Sequence, residues 1–443
     1  MPVRKVDPAT SGKSHFDYID IASIDNENQR IVEPKRYSSE DAPSRARQEV
    51  RAHDVVFSTV RTYLKNIALV PEYLDGQIAS TGFSVLRASN ATLPKYLFYY
   101  SLTPSFLNAL AELQRGTSYP AVRDGDVRAQ RIPLAPLPEQ RRIVAKIEEL
   151  FSRLDAGVAA LKRVQAALKR YKASVLKAAC EGRLVPQDPS DEPADVLVER
   201  ILEDKRGLEE SSSRSKSRDR SNARVGFPQR SDYVDLPKLP QGWCWTTFGS
   251  IGDVQGGIQK QPKRAPTRNH YPYLRVANVL RGRLDLSEVL SIELFDDELS
   301  KLRLKRGDLL IVEGNGSQTE IGRSAIWRGE IENCVHQNHI IRARFSGIDP
   351  SFADYYLNSP MGAARISSVA SSTSGLFTLS TAKIKAIPMP VPPLAEQKKI
   401  VAEIERQLSI ILKLERTIDL DLSRAVRLRQ SILARAFNGT LCL

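Results

Sequence analysis

The chain has 443 residues, with 65 Lys and Arg against 52 Asp and Glu, for a formal charge of +13. That length allows roughly two to four domains of ordinary size. A composition of 41% hydrophobic and 26% charged residues excludes a collagen, a disulfide-stapled miniprotein and a wholly disordered chain. In chain order, the β-rich runs Val55–Thr59, Ile67–Val70 and Phe83–Leu86 predict strands, and Leu93–Ser101 predicts a helix. Pro138-Glu139-Gln140 opens a long helix that Glu181-Gly182 closes, with Pro and acid at its start and Gly past its end. Asp195–Glu210 predicts a short helix, and the Ser/Arg run 211–221 a mobile linker. Strands are expected again at Asp308–Val312, Ser324–Trp327 and His339–Phe345, and a helix at Pro350–Asn358. A second long helix opens at Pro393 and Glu396 and closes at Asn438-Gly439.

These elements repeat. Residues 136–185 align on 393–442 without a gap, with 16 identities in 50 positions. Pro136-Leu137-Pro138-Glu139-Gln140 meets Pro393-Leu394-Ala395-Glu396-Gln397. The preceding segments correspond more loosely. Tyr18–Ile24 resembles Tyr273–Val279, His53–Phe57 resembles Gly307–Ile311, Ser84–Arg87 resembles Ile340–Ala343, and Tyr96–Tyr100 resembles Ala353–Leu357. The chain therefore reads as two copies of one plan. It has a first mixed domain at 1–135, a helix at 136–185, a linker at 186–238, a second mixed domain at 239–392 and a second helix at 393–443. The expected fold class is α+β: two mixed domains separated by two long antiparallel coiled-coil helices, related by a pseudo-two-fold repeat. The seam follows a heptad row, Ile147, Leu154, Leu161, Leu168 and Val175 in the first helix and Ile404, Ile411, Ile418, Ala425 and Ile432 in the second. Leu150, Val164 and Tyr171 are expected to supply the alternating row.

The chain has no P-loop, no Gly-x-Ser-x-Gly elbow and no Asn/Asp-Pro-Pro-Tyr/Phe tetrapeptide. Cys334, His336 and His339 lie in and beside a strand without a fourth ligand, so neither a metal site nor a catalytic residue is expected. Four scattered cysteines, no apolar signal core and no membrane-length apolar run predict a cytoplasmic protein with reduced thiols. The excess charge points at a polyanion, but it is spread: +2 on 1–135, +6 on 136–185, −2 on 186–238, +4 on 239–392 and +3 on 393–443.

The duplicated Ile132–Gln140 and Ile387–Gln397, together with Leu239-Pro240-Gln241-Gly242-Trp243-Cys244-Trp245, resemble the specificity subunit of Type I restriction–modification systems. There, a target-recognition domain opens on Leu-Pro-x-Gly-Trp-x-Trp and ends on an Ile-Pro run and Pro-Leu-x-Glu-Gln. The resemblance implies a non-catalytic subunit that reads a bipartite, asymmetric double-stranded DNA target. The helices set the half-site gap and dock two modification (methyltransferase) subunits, to which restriction (translocase/nuclease) subunits add. S-adenosylmethionine, ATP and Mg are then expected on the partner subunits and no cofactor on this chain. The alternative is an assembly scaffold for the methyltransferase subunits with impaired DNA reading. The first copy lacks the Gly-Trp-x-Trp opening and is short by about 20–30 residues against the second. Either it is a natural variant or the true start lies upstream, and a missing strand would weaken its folding or binding.

Polar and basic loops are the candidate DNA contacts, because Arg and Lys pair with phosphates and Arg, Asn, Gln, Ser and Thr with base edges. In the first domain these are Arg61, Thr62, Tyr63 and Lys65, and Arg115, Thr117, Ser118 and Tyr119. In the second they are Gln255, Gln259, Lys260, Lys263 and Arg264, then Asn315, Ser317 and Gln318, then Ser372, Thr373 and Ser374.

Overall fold

The computed structural model describes residues 3–213, 236–373 and 375–441. The Ser/Arg run from residue 214 onward, Ser374 and Cys442 lie outside them. The chain divides into two compact units: Met1–Val164 with Arg416–Leu443, and Gln165–Glu415. Each long helix therefore contributes to both.

The mixed part of the first unit begins with β1 (His15–Ile19), β2 (Ile24–Asp25), β3 (Arg30–Ile31), β4 (Lys35–Ser38) and β5 (Ala46–Glu49). It continues with β6 (Val55–Ser58), β7 (Ile67–Leu69), β8 (Ile78–Ser80) and β9 (Phe83–Leu86), then α1 (Pro94–Ser101), α2 (Pro104–Ala111) and α3 (Asp124–Arg128). The strands form a four-stranded sheet, β4-β1-β8-β5, the hairpin β2-β3 and a three-stranded sheet, β7-β6-β9. Every residue of β6 is buried, as a continuous Val-Val-Phe run requires. Phe57, Tyr96, Tyr100 and Phe106 build a core that is closed by Ile143, Ile147 and Phe151 of α4 (Leu137–Cys180) and by Ile432, Leu433 and Ala436 of the final helix.

The second unit takes up α4 from Gln165 and continues with α5 (Ala194–Ser213), β10 (Cys244–Thr247), α6 (Phe248–Ile251) and β11 (Gly252–Gly256). Next come β12 (Tyr271–Leu274), β13 (Val279–Leu280), β14 (Arg283–Leu284), β15 (Leu290–Ile292) and α7 (Glu298–Leu302). Then follow β16 (Leu309–Val312), β17 (Gly314–Asn315), β18 (Ser324–Ile326), β19 (Val335–His336) and β20 (Ile340–Phe345). The unit ends through α8 (Pro350–Leu357), α9 (Pro360–Val369), β21 (Ser371–Thr373), β22 (Leu376–Thr378), α10 (Thr381–Lys385), β23 (Pro388–Val391) and α11 (Leu394–Phe437). Its main sheet is β11-β20-β16-β18. Ala194, Leu197, Val198 and Ile201 of α5 enter the core beside Phe248, Phe352 and Ile404, so the start of the linker is an integral part of this unit.

The two units share one plan at the level of single bonds. Strand β1 pairs in parallel with β8 as β12 does with β19, and β9-β6-β7 repeats β20-β16-β18. The registers correct the sequence alignment by one residue. Ser84 faces Phe57 as Ile341 faces Ile311, which sets Arg87 against Arg344. Both arginines clamp a buried carboxylate, Arg87 Nε and Nη2 on Asp54 at 2.9 and 2.7 Å, and Arg344 Nε and Nη2 on Asp308 at 2.6 and 2.8 Å. Each aspartate follows a left-handed residue, His53 (φ 67°) or Gly307 (φ 93°), and only the second copy uses the residue that takes this conformation without strain.

The Glu-Gln pair is also explained. Gln140 is fully buried; it accepts from Leu93 N at 2.8 Å and donates to Ala91 O and Ala135 O. Gln397 accepts from Asp349 N at 2.9 Å and donates to Pro392 O. Each glutamine thus ties the first turn of a long helix to the residue that caps α1 or α8. Glu396 accepts from Trp243 Nε1 at 2.9 Å, and burial raises its carboxyl pKa.

The first unit has no counterpart of β10, α6 and β11 among the described residues. In the second unit β11 pairs with β20, the equivalent of β9. In the first, α3 packs on β9 instead: Ser84 Oγ donates to Asp124 at 2.6 Å and Arg128 Nη2 to Val85 O at 3.1 Å. Two side-chain bonds thus hold α3 to β9, which is an edge strand of its sheet.

Within the first unit, Arg429 lies 4.3 Å over the Phe151 ring and pairs with Asp155. Within the second, the Tyr171 hydroxyl donates to Gln407 Oε1 at 3.0 Å. Early α4 thus meets late α11, and late α4 meets early α11, an antiparallel pairing. Along the heptad row, Ile147, Leu168, Val175, Ile404, Ile411, Ile418, Ala425 and Ile432 are buried, and Leu154 and Leu161 half-buried. The expected alternating row is corrected: Val164 and Tyr171 are 47% and 50% exposed, and Leu150 is half-buried. The second row lies four residues after the first, at Phe151, Val158 and Gln165 on α4 and at Leu408, Glu415, Leu422 and Arg429 on α11. Counting apolar residues misses it because polar stems fill several of its places.

Candidate nucleic-acid interface

The two candidate loops of the first domain come together. One joins β6 to β7 and the other joins α2 to α3. Arg61 N donates to Pro120 O at 2.8 Å, and Val60 and Arg115 both bridge Ala121. The Arg61 guanidinium sits 4.7 Å from the Tyr119 ring centroid and donates to Ser118 O at 3.4 Å. Arg61 (φ 48°) and Lys65 (φ 54°) are both left-handed and flank the turn Thr62–Leu64. Two bulky residues held in that region mark a loop whose shape is imposed by its surroundings. Tyr63 and Tyr119 are 60% and 70% exposed, and Arg115, Thr117 and Ser118 are exposed as well. Burial lowers the Lys65 ammonium pKa. Thr62 is the exception: it is buried and accepts from Gln114, so it shapes the loop from beneath.

The second domain repeats the arrangement. Its β16–β18 loop carries β17, which pairs with β22, and β22 pairs with β21 beyond α9. Asn315 accepts from Ser317 N at 2.8 Å, and exposed Gln318 donates to Ser367 Oγ at 3.3 Å. Ser317 and Ser372 are exposed, Thr373 lies on β21, and Ser374 is outside the described residues. The same hairpin pins the loop in each domain: Asn26, beyond β2, donates to Leu64 O at 3.1 Å, and Arg281, beyond β13, to Thr319 O at 2.7 Å.

The third loop of the second domain divides. Gln255 sits half-buried in β11 opposite Arg342, while Gln259, Lys260 and Lys263 are exposed. Arg264 is half-buried and already engaged within the protein. It donates two bonds of 2.8 Å to Glu298, lies 5.1 Å over Phe295, and holds the Glu298 carboxyl down at about 2. Gln337-Asn338-His339, the turn between β19 and β20, joins the same face, although the sequence analysis does not single it out as a contact. It meets the third loop through the Ile258–Gln337 bridge and the second through His339 Nδ1, 3.0 Å from Glu313. Its signal was a polar triplet between two apolar runs.

Cys334 is buried in the core, and His336 Nδ1 donates to Ile340 O at 3.0 Å while burial pushes its pKa down to about 4. Among the described residues no group of three or more His, Cys, Asp or Glu could hold a metal ion, and no helix is long and apolar enough to cross a membrane.

One buried acid underlies the second domain's loop face. Asp354 accepts from Ser324 Oγ at 2.7 Å and Asn358 Nδ2 at 2.8 Å, and burial raises its carboxyl to about 7. The folded protein therefore binds this proton more tightly than the unfolded chain, whose aspartate titrates near 3.8. The contribution of Asp354 to stability falls as pH rises from about 4 to about 7. Asp354→Asn keeps the accepting oxygen and removes the charge. It is expected to stabilise the fold at pH 8 by about 2–4 kcal/mol and to be neutral at pH 4, as read by denaturant melts; an equal effect at both pH values would refute this.

Two copies of a paired-loop polar face, each fixed to an antiparallel helix pair, define a duplicated recognition protein. A family model described as "Type I restriction modification DNA specificity domain" matches residues 50–163 and 240–423, and the chain belongs to that family. It is 25% identical over 360 residues to the Type I restriction enzyme EcoKI specificity subunit of Escherichia coli K12, covering 81% of this chain and 68% of that one. It is 26% identical over 361 residues to the StySPI specificity subunit of Salmonella potsdam, covering 80% and 67%. Among solved structures, the HsdS subunit from Thermoanaerobacter tengcongensis is 28% identical with a TM-score of 0.56, covering 100% of this chain and 95% of that one. A chain solved in work on "complex assembly" and "conformational transition of the type I R-M system" is 28% identical with a TM-score of 0.72, covering 100% and 96%.

Proposed function

We propose that this chain is the sequence-reading subunit of a Type I restriction–modification complex. Each mixed domain reads one half of a split, asymmetric double-stranded DNA target through its coupled loops. The helix pair sets the gap between half-sites, as subunit geometry does in dimeric DNA readers. It also docks two methyltransferase subunits, to which restriction subunits add. Exposed Leu412, Leu414, Leu420, Val426 and Leu428 on α11 are apolar surface suited to such docking. The chemistry, with S-adenosylmethionine, ATP and Mg, belongs to the partners, and this chain is non-catalytic.

The observation that carries this reading is the recurrence of one loop construction in both copies: a hairpin loop locked to the segment after the second small helix and pinned by the β2-β3 or β13-β14 hairpin. The scaffold alternative predicts no such retention in the first domain. The buried core of the first domain and the bonds from α3 to β9 support a folded, reading domain. The test is to co-purify the chain with its modification subunits and map methylated adenines by sequencing. A split, asymmetric motif is expected. A complex that assembles but methylates nothing specific would favour the scaffold, and methylation or cleavage by the isolated chain would overturn both readings.

A further inference from the structure

In the second unit a groove of about 590 Å³ separates the last turns of α4 from the mixed domain. Its cations are Lys169 and Lys172 of α4 and Arg281 of the β13-β14 turn; no Asp or Glu lines it. Lys169 and Lys172 are three apart, so they share a helix face. Arg281 is held by neutral partners alone, Asn358 Oδ1 at 3.1 Å and Thr319 O at 2.7 Å. None of the three has a carboxylate at ion-pair distance among the described residues. Three unpaired cations around a concave, partly apolar site destabilise one another, and a bound anion relieves that repulsion. Gln318 and Thr319, from the tip of the β16–β18 loop, form the opposite wall.

We propose that this groove seats a phosphate of the DNA backbone, so that the spacer helix grips the duplex through Lys169 and Lys172 beside Arg281. The proposal rests on the reading above of the β16–β18 loop as DNA-facing, because that loop is the groove's own wall. A phosphodiester fits the chemistry: it accepts from all three cations and carries no sequence information, which suits ligands on a helix outside the recognition loops.

The test uses the assembled complex with its modification subunits and fluorescence anisotropy on target and non-target duplexes between 50 and 200 mM salt. Lys169→Ala with Lys172→Ala should flatten the slope of log K against log salt by about 0.9, the value for one lost phosphate contact. The ratio of wild-type to variant affinity should then grow about three- to fourfold between 200 and 50 mM. Target and non-target DNA should be weakened alike, leaving the specificity ratio unchanged, and Lys398→Ala should leave the slope unchanged. A wild-type slope in a complex that still discriminates its target overturns the groove and leaves the DNA-reading function standing. A wild-type complex that discriminates no target overturns both. Stabilisation of the wild-type but not the variant chain by inorganic phosphate, with the DNA slope unmoved, identifies a free-anion site and overturns the DNA assignment. Loss of methyltransferase subunits from the variant with the slope unmoved identifies an acidic partner segment and overturns it too.

Discussion

Asp308→Ala will lower the stability of the second unit by about 3–5 kcal/mol and its melting temperature by roughly 10 °C. Asp308 is wholly buried and accepts from Arg344 twice and from Lys305 N at 2.7 Å. Removing it leaves the Arg344 guanidinium without its partner at the end of β20 and frees the turn that Gly307 forms before β16. Breaking such a pair from one side is expensive because the remaining charge, here an Arg344 side chain 28% exposed, keeps much of its desolvation, whereas removing both sides is not. Asp308→Leu combined with Arg344→Met should therefore recover much of the loss. Asp54→Ala should have the same effect on the first unit, where Arg87 and Arg51 N occupy the equivalent places. A loss below about 1 kcal/mol in chemical denaturation would mean that solvent reaches the pair more freely than its burial implies.

Deleting one heptad from each spacer helix, Val158–Val164 and Arg416–Leu422, should abolish methylation of the parent target. Methylation should move to a target whose half-sites are closer by about three base pairs. Seven helical residues span about 10 Å at 1.5 Å each, and a base pair rises about 3.4 Å. A whole heptad preserves the phase of both seam rows, so Leu154 and Leu168 remain on the buried side while the helices shorten. Adenine mapping of the purified complex reads the result directly. An unchanged gap with both half-sites intact would sink the ruler.

Much of the fold was legible because its strongest signals are local. Strands β6, β9, β16 and β20 are short, mostly buried runs rich in apolar residues, and α4 and α11 are 44 residues each with heptads along them. Strands β1 and β12 are not legible locally, because such short runs become strands only beside partners elsewhere in the chain, β4 and β8 for the first and β15 and β19 for the second. The seam's second row was misplaced for a related reason: Gln165, Glu415 and Arg429 occupy it with the stems of polar side chains. In the interface, loop composition located the loops, and nothing in it revealed that Arg61 reaches Tyr119 or that β17 joins β22. The partners of Arg264 and Thr62 are equally hidden, because residue type alone does not disclose a partner. Glu298 is 34 residues from the first, and Gln114 is 52 from the second.

The buried glutamines Gln140 and Gln397 have a consequence for how such proteins change. Each engages the neighbouring mixed domain only through main-chain groups, those of Leu93, Ala91 and Ala135 in one copy and of Asp349 and Pro392 in the other. A joint made with main-chain atoms is indifferent to the side chains around it. A foreign domain that ends on the same short Pro-Leu-x-Glu-Gln stretch, and presents a helix start at the same point, would meet the same glutamine clamp, and only its apolar packing on residues such as Ile143, Ile147 and Phe151 would have to be refitted. The junction thus places the fixed part of the joint in the backbone and leaves the variable part to a small apolar patch.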